Sequence, residues 1–232
     1  MMIPAAVTTM NSHSLLHLLH LVSPNLPTGA FSYSQGLEWA VEAGWVHDKS
    51  SLEQWLSDLI SNSMVHIDVP IFRRMFEVIE CGEISDLEQW SDLLFACRES
   101  SEMQAEEQTR GRALYSLLES LNLLDSNFPA HILKKSQLAG YVYMAIKWHI
   151  SMREAALGYV WSWLDNQLLT GVKIIPLGQS QGQQLLLQLS SSVARNVDKG
   201  LACSDAEIGA ASPAFTLACC LHETQYTRLY RS

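Results

Sequence analysis

Apolar residues recur at helical spacing along most of this chain, and the strict alternation that builds strands is nearly absent. Leu15, Leu18, Leu19 and Val22 follow the i, i+3, i+4, i+7 pattern of an amphipathic helix, with His13, His17 and His20 on its other face. Capping boxes recur as Ser50 with Glu53, Ser85 with Glu88, Ser151 with Glu154 and Ser204 with Glu207. In each, hydroxyl and carboxylate can satisfy the N–H groups left free at a helix start. The pattern predicts helices over roughly 12–22, 34–44, 50–64, 68–81, 86–98, 101–122, 128–149, 152–169, 179–196 and 205–224. The breaks between them, at 24–29, 81–82, 127–129, 171–178 and 211–213, are short and rich in Pro and Gly. None is a domain linker. The expectation is all-α: one bundle of about ten helices over residues 12–232, preceded by a disordered extension over residues 1–11.

A chain of 232 residues buries about 70% of its unfolded surface, so it needs no staples. Its five cysteines are odd in number and follow no disulfide spacing, which reads as reduced thiols in a cytoplasmic protein. A net charge of −9 supplies no basic field for nucleic-acid phosphates or anionic lipid, and no apolar run is long enough to span a membrane. Neither partner is expected. Charged residues make up only 17%, against about 25% in ordinary soluble proteins, which leaves apolar surface for a protein partner.

Catalytic signatures are missing from the sequence. There is no phosphate loop and no dinucleotide fingerprint, and Ser32 has Ala30 and Ser34 where a nucleophile elbow wants glycines. A hydrolase built on Ser32 or Ser34 therefore has little behind it. The face formed by His13, His17 and His20 could present imidazoles to a metal, but no acid or thiol stands nearby in sequence. Cys219, Cys220 and His222 form a second cluster, yet adjacent helical residues point about 100° apart and the two thiols diverge. Neither group is assigned a metal. Glu102, Glu106, Glu107, Arg110 and Arg112 read as i, i+4 pairs on a solvated helix face.

The segment LPTGAFSYSQGLE at 26–38 sets a Pro-Gly turn before a helix start. Here Ser32 or Ser34 can cap free N–H groups, while Phe31 and Tyr33 point to opposite sides. One ring enters the core; the hydroxyl-bearing one is left for a partner, with Glu38 a turn beyond Ser34 on the same face. At the other end, Arg228 and Arg231 carry planar forks suited to carboxylates, with Leu229 and Tyr230 as anchors between them and Ser232 last. A short end of this kind is expected to order on binding, with few backbone hydrogen bonds of the body depending on it.

LPTGAFSYSQGLE at 26–38, the weaker EEQTRGRAL at 106–114, GVKIIPLGQSQGQQLL at 171–186 and ASPAFTLACCLHETQYTRLYRS at 211–232 resemble, in that order, the signatures of the UreF family of urease accessory proteins. The tail departs from the family pattern in having Tyr230 where phenylalanine is more usual. The resemblance implies a non-catalytic, all-α adaptor that dimerises, binds UreD (UreH in some organisms) and recruits the GTPase UreG to apo-urease, where nickel must enter a buried site. It implies no cofactor. By family position it adds Lys173 and Gln179 to the partner-binding candidates Ser32, Tyr33, Ser34, Glu38 and Arg228 through Ser232. The alternative reading is an independent nickel-binding metallochaperone that uses the histidine face or the Cys219, Cys220, His222 cluster.

Overall fold

The computed structural model describes residues 11–126 and 128–232; apart from Asn11, the extension expected at 1–11 lies outside the described residues. Among the described residues the chain is helical, with no strand. Helix α1 (Ser12–Leu21) leads through a 3₁₀ turn (Ala30–Ser32) to the short α2 (Leu37–Glu42). Then α3 (Lys49–Leu59), a π-helical segment (Ile60–Asp68) and α4 (Val69–Cys81) run on without interruption. They are followed by α5 (Ser85–Ala96), α6 (Ser101–Ser120), α7 (Ala130–Lys135), α8 (Gln137–Lys147), α9 (Met152–Ile174) and α10 (Gln179–Leu201). A 3₁₀ turn (Asp205–Glu207) precedes α11 (Pro213–His222), and the tail from residue 223 carries no further helix.

Local chemistry places some helix starts where the sequence predicts them and shifts others. Ser151 caps α9, and its hydroxyl donates to Glu154 Oε2 at 2.6 Å. Asn11 caps α1, accepting from the His13 N–H at 3.1 Å. Helix α3 starts earlier than the Ser50–Glu53 box, because Asp48 accepts from Ser51 N–H at 2.8 Å and Ser51 Oγ accepts from Asp48 N–H at 3.0 Å. Ser85 opens α5 without capping it, and the Ser204–Glu207 box heads only a 3₁₀ turn.

The predicted gap at 65–67 is closed by the π segment. Pro70 has no N–H to return to His66, so an α-helical ladder would leave the His66 carbonyl unpaired. The wider register carries Val69 N–H to Met64 O instead, and the freed His66 carbonyl accepts from Gly209 N–H at 2.9 Å. The helix thus passes its proline, and the connection between α10 and α11 is pinned to its side.

Helix α8 is the centre of the bundle. Every residue from Gln137 to Ala145 is buried, the condition of a helix apolar on all sides, and α4, α6, α1 and α9 pack around it. Helix α1 only half follows the prediction: Leu18 and Val22 pack inward next to Gly158 of α9, while the rest of its inner side is not the leucine face. His17 stacks on Trp148 with ring centroids 4.8 Å apart, His20 meets the same ring edge-on at 5.6 Å, and Ser14 Oγ donates to His149 O at 3.0 Å. Leu15, Leu16 and Leu19 are left exposed. The indole offers the imidazoles a flat partner, and a ten-residue helix on the rim can turn these leucines outward.

Candidate functional site

The 26–38 segment and the chain's last residues, far apart in sequence, form one structural unit. Gln35 and Gly36 both adopt left-handed backbone, at φ 51° and 76°. A Cβ at residue 36 would stand 2.9 Å from Cys219 N, so the glycine lets α2 press against α11. The same bend turns consecutive N–H groups onto one acceptor: Ser34 N and Gln35 N donate to Ser232 O at 2.7 and 2.9 Å, and Ser34 Oγ donates to it too. Arg231 N–H donates to Ser32 O at 2.9 Å. The tail therefore runs alongside the motif, backbone to backbone.

Glu38 fixes the next stretch. Its Oε1 accepts from Leu229 N–H at 2.7 Å and its Oε2 from Tyr230 N–H at 3.0 Å. His222, completely buried, lies between two carboxylates, with Nε2 3.3 Å from Glu38 Oε2 and Nδ1 2.6 Å from Glu102 Oε2. Glu102 also pairs with Arg228 at 2.5 Å. Glu106 holds Arg110 at 2.7 Å, Gln35 Nε2 at 3.0 Å and Ser232 Oγ at 3.3 Å, while Trp163 Nε1 donates to Gln35 Oε1 at 2.7 Å. Asn166 Nδ2 donates to the carbonyls of Ala30 and Tyr33 at 3.2 and 3.4 Å. Burial pushes the Tyr230 phenol and, far more, the Cys219 thiol above their ordinary ranges.

These contacts correct three expectations. The tail is ordered on the folded body, because the buried acceptors Glu38 and Glu106 and the amides of the 34–35 bend need it. The ring assignment is reversed: Tyr33 is buried and Phe31 is 67% exposed, since Asn166 draws the backbone of residues 30–33 onto α9. The α6 carboxylates are not on a solvated face, for Glu106 and Glu107 are buried and paired. Of the predicted site residues, Ser34, Tyr33, Glu38, Tyr230 and Ser232 thus work inward and build the unit. Ser32 is half-buried, and Leu229 (76% exposed), Arg228 and Arg231 face outward beside Phe31's segment. Lys173 and Gln179 are exposed on either side of the 175–178 connection, with no hydrogen bond to the unit among the described residues.

Sequence reading missed His222, Gln35, Glu102 and Glu106 as members of the unit. The i, i+4 spacing of Glu102 and Glu106 was a signal for a shared face, but nothing local says that the face is covered.

A second buried network lies deeper. Arg98 pairs with Asp68 at 2.6 Å and with Glu107 at 3.4 Å, and Tyr159 OH donates to Asp68 Oδ1 at 3.1 Å. Glu107 Oε1 also accepts from Ser136 Oγ and Leu138 N–H, both at 3.0 Å, which ties the start of α8 to α6. Burial opposes the Arg98 charge, but the two carboxylates outweigh it and hold the guanidinium well above its ordinary value. Between the networks is a cavity of ≈ 130 Å³ lined in part by Asp68, Arg98, Glu106, Glu107 and Arg110. Apolar side chains, among them Leu59, Met64, Met103 and Leu114, line the rest of it.

Among the described residues, no group of three or more His, Cys, Asp or Glu is arranged to hold a metal ion. In the Cys219, Cys220, His222 cluster, Cys219 is buried, Cys220 is exposed and both nitrogens of His222 are engaged by carboxylates. The described residues contain no helix long and apolar enough to cross a membrane.

The profile of the UreF family matches residues 46–190 of this chain. Proteins named urease accessory protein UreF are similar to it over nearly its whole length. The one from Alcanivorax borkumensis is 40% identical over 230 residues, covering 96% of this chain and 100% of its own. Those from Pseudomonas putida strain W619 and Klebsiella pneumoniae strain 342 are 41% and 40% identical, covering 96% and 94% of this chain and 100% and 97% of theirs. The chain belongs to the UreF family.

Proposed function

We propose that this UreF-family chain does no chemistry of its own and acts as an adaptor in urease maturation: it binds UreD (or UreH) and recruits the GTPase UreG to apo-urease for nickel insertion. Nickel is cargo in this reading and no cofactor is held. The observation that carries it is the outward display of Phe31, Leu229 and Arg231 by a unit whose inward side is bonded into the fold. Pre-ordered apolar and guanidinium side chains bind at small entropic cost, and among the described residues Arg231 has no ion-pair partner. Lys173 and Gln179 extend the proposed partner surface at the 175–178 connection. The exposed leucines of α1 suit a second copy of the chain, and we place the complex in the cytoplasm as a homodimer bound to its partners.

Co-purification of the chain with UreD and UreG, followed by mass measurement of the complex, tests the reading. Arg231→Ala is expected to weaken UreD retention by about 2 kcal/mol or more, because truncation strands a carboxylate on the partner. Arg231→Lys should restore only part of it, since an ammonium keeps the charge and loses the planar fork. No complex with either protein, together with stoichiometric nickel binding by the isolated chain in equilibrium dialysis, would replace the adaptor with the metallochaperone.

A further inference from the structure

We propose that the outer edge of the cavity between the two networks receives an arginine side chain from a protein partner, with Asp165 as its counter-ion. Ser162, Asp165, Asn166 and Leu169 recur at i, i+3, i+4, i+7 on α9, and this stripe of the helix lines the cavity together with Phe31. Phe31 and Leu169 are exposed and Asp165 is half-buried, so this end of the cavity lies at the surface. The donors of the stripe are spent and its acceptors are not. Ser162 Oγ donates to Tyr159 O at 2.9 Å within its own helix, and Asn166 Nδ2 donates to the carbonyls of Ala30 and Tyr33. Among the described residues, Asn166 Oδ1 and the Asp165 carboxylate have no hydrogen-bond or ion-pair partner. Burial alone pushes the Asp165 carboxyl above its ordinary range, with no cation set against it.

The rest of the lining points to the same sign of ligand. Its carboxylates are Asp68, Glu99, Glu106, Glu107 and Asp165, against the guanidinium groups of Arg98 and Arg110. Both cations are committed, Arg98 to Asp68 and Glu107 and Arg110 to Glu106. Glu99 is answered only by the Thr216 hydroxyl. The complement is therefore positive. Among the described residues no group of three or more His, Cys, Asp or Glu is arranged for a metal ion, and ≈ 130 Å³ falls below the roughly 300–1,000 Å³ of a small-molecule site. One side chain is the right size. A guanidinium has five N–H donors and no acceptor, which matches a surface whose polar groups only accept. Its planar fork suits the Asp165 carboxylate, its face suits the exposed Phe31 ring, and the methylene stem of arginine suits Leu169. An ammonium offers three donors and no flat face. The inference rests on the adaptor reading only for which protein carries the arginine.

Asp165→Asn keeps the shape of the side chain and removes its charge. The isolated variant should melt no lower than the wild type, because the carboxylate it replaces is uncompensated there, yet retention of UreD or UreG should fall at least about tenfold. A second measurement needs neither protein. N-acetyl-arginine amide titrated into the nitrogen-15-labelled full chain should shift the Phe31 and Leu169 amide resonances saturably. Asp165→Asn should abolish those shifts, and N-acetyl-lysine amide should produce weaker ones. If no complex forms with either protein, the adaptor reading fails while the titration still decides the site. A lower melting temperature for Asp165→Asn would mean that a cation of the chain itself, such as Arg231 beside Ser32, already answers the carboxylate, and would overturn the proposal. Wild-type retention of both partners by the variant, the absence of saturable shifts, or a lysine compound that binds as well as the arginine one overturns it equally.

Discussion

Two buried networks in this protein use the same carboxylate chemistry for different ends. In the deeper one, Asp68 and Glu107 share Arg98, whose guanidinium keeps its charge at any accessible pH. It joins the end of the π segment to α6 and, through Glu107, to the start of α8. In the outer one, Glu38 and Glu102 flank a histidine, and what they hold is a chain end. Permanent charge sits where helices meet. An ionisable group sits where a segment docks, beside the residues turned toward solvent.

The sharpest way to break this contrast is to remove the fixed cation. Arg98→Met strands two buried carboxylates and should cost about 3–5 kcal/mol, read as a lower urea midpoint with an unchanged m-value. If the variant melts like the wild type, the deeper network is not what joins α6 to the π segment.

Next in size is loss of the docked tail. Deleting residues 227–232 removes the backbone bonds to Ser32, Ser34 and Gln35 and uncovers Glu38, so stability should fall by about 1–3 kcal/mol with helical content nearly kept. Sequence reading alone implied no such cost. Unchanged thermal stability would return the tail to the status of a frayed end.

What the sequence could and could not reveal follows from the range of each interaction. Ser151 with Glu154 is legible because cap and helix lie within a single turn. Pervasive helical spacing and short breakers sufficed for an all-α bundle, since they reflect local periodicity. The orientation of α1 was half legible: Leu18 and Val22 face the bundle as their spacing says, but Trp148, remote in sequence, draws His17 in while Leu15 and Leu19 stay exposed. Tyr33 and Phe31 were exchanged for a similar reason, because Asn166 of another helix sets the path of their backbone. The motif and tail were each legible as candidate sites, but their union depends on Glu38 meeting the amides of residues 229 and 230. No periodicity encodes that meeting. His222 was read as part of a thiol cluster when its partners are carboxylates from two other helices.

The smallest effect on the fold should come from Phe31→Ala, and it separates the two sides of the outer unit most cleanly. Phe31 is 67% exposed and its backbone is held by neighbours whose side chains the substitution leaves alone. Its ring therefore buries little in the isolated chain, and stability should stay within about 0.5 kcal/mol of wild type. Binding is different: an aromatic ring on an ordered support loses few rotamers on contact and can bury a large area, so retention of UreD or UreG should fall at least about tenfold. Tyr33→Ala should behave in the opposite way. That ring is buried, and its truncation should cost about 3–5 kcal/mol of stability, with any binding loss following from a loosened motif. Measuring melting and pull-down for both variants assigns each ring to its side. Stable Phe31→Ala protein that retains both partners at wild-type affinity would show that the exposed side of this unit is not the contact surface, and would leave Leu229 and Arg231 to be judged apart from it.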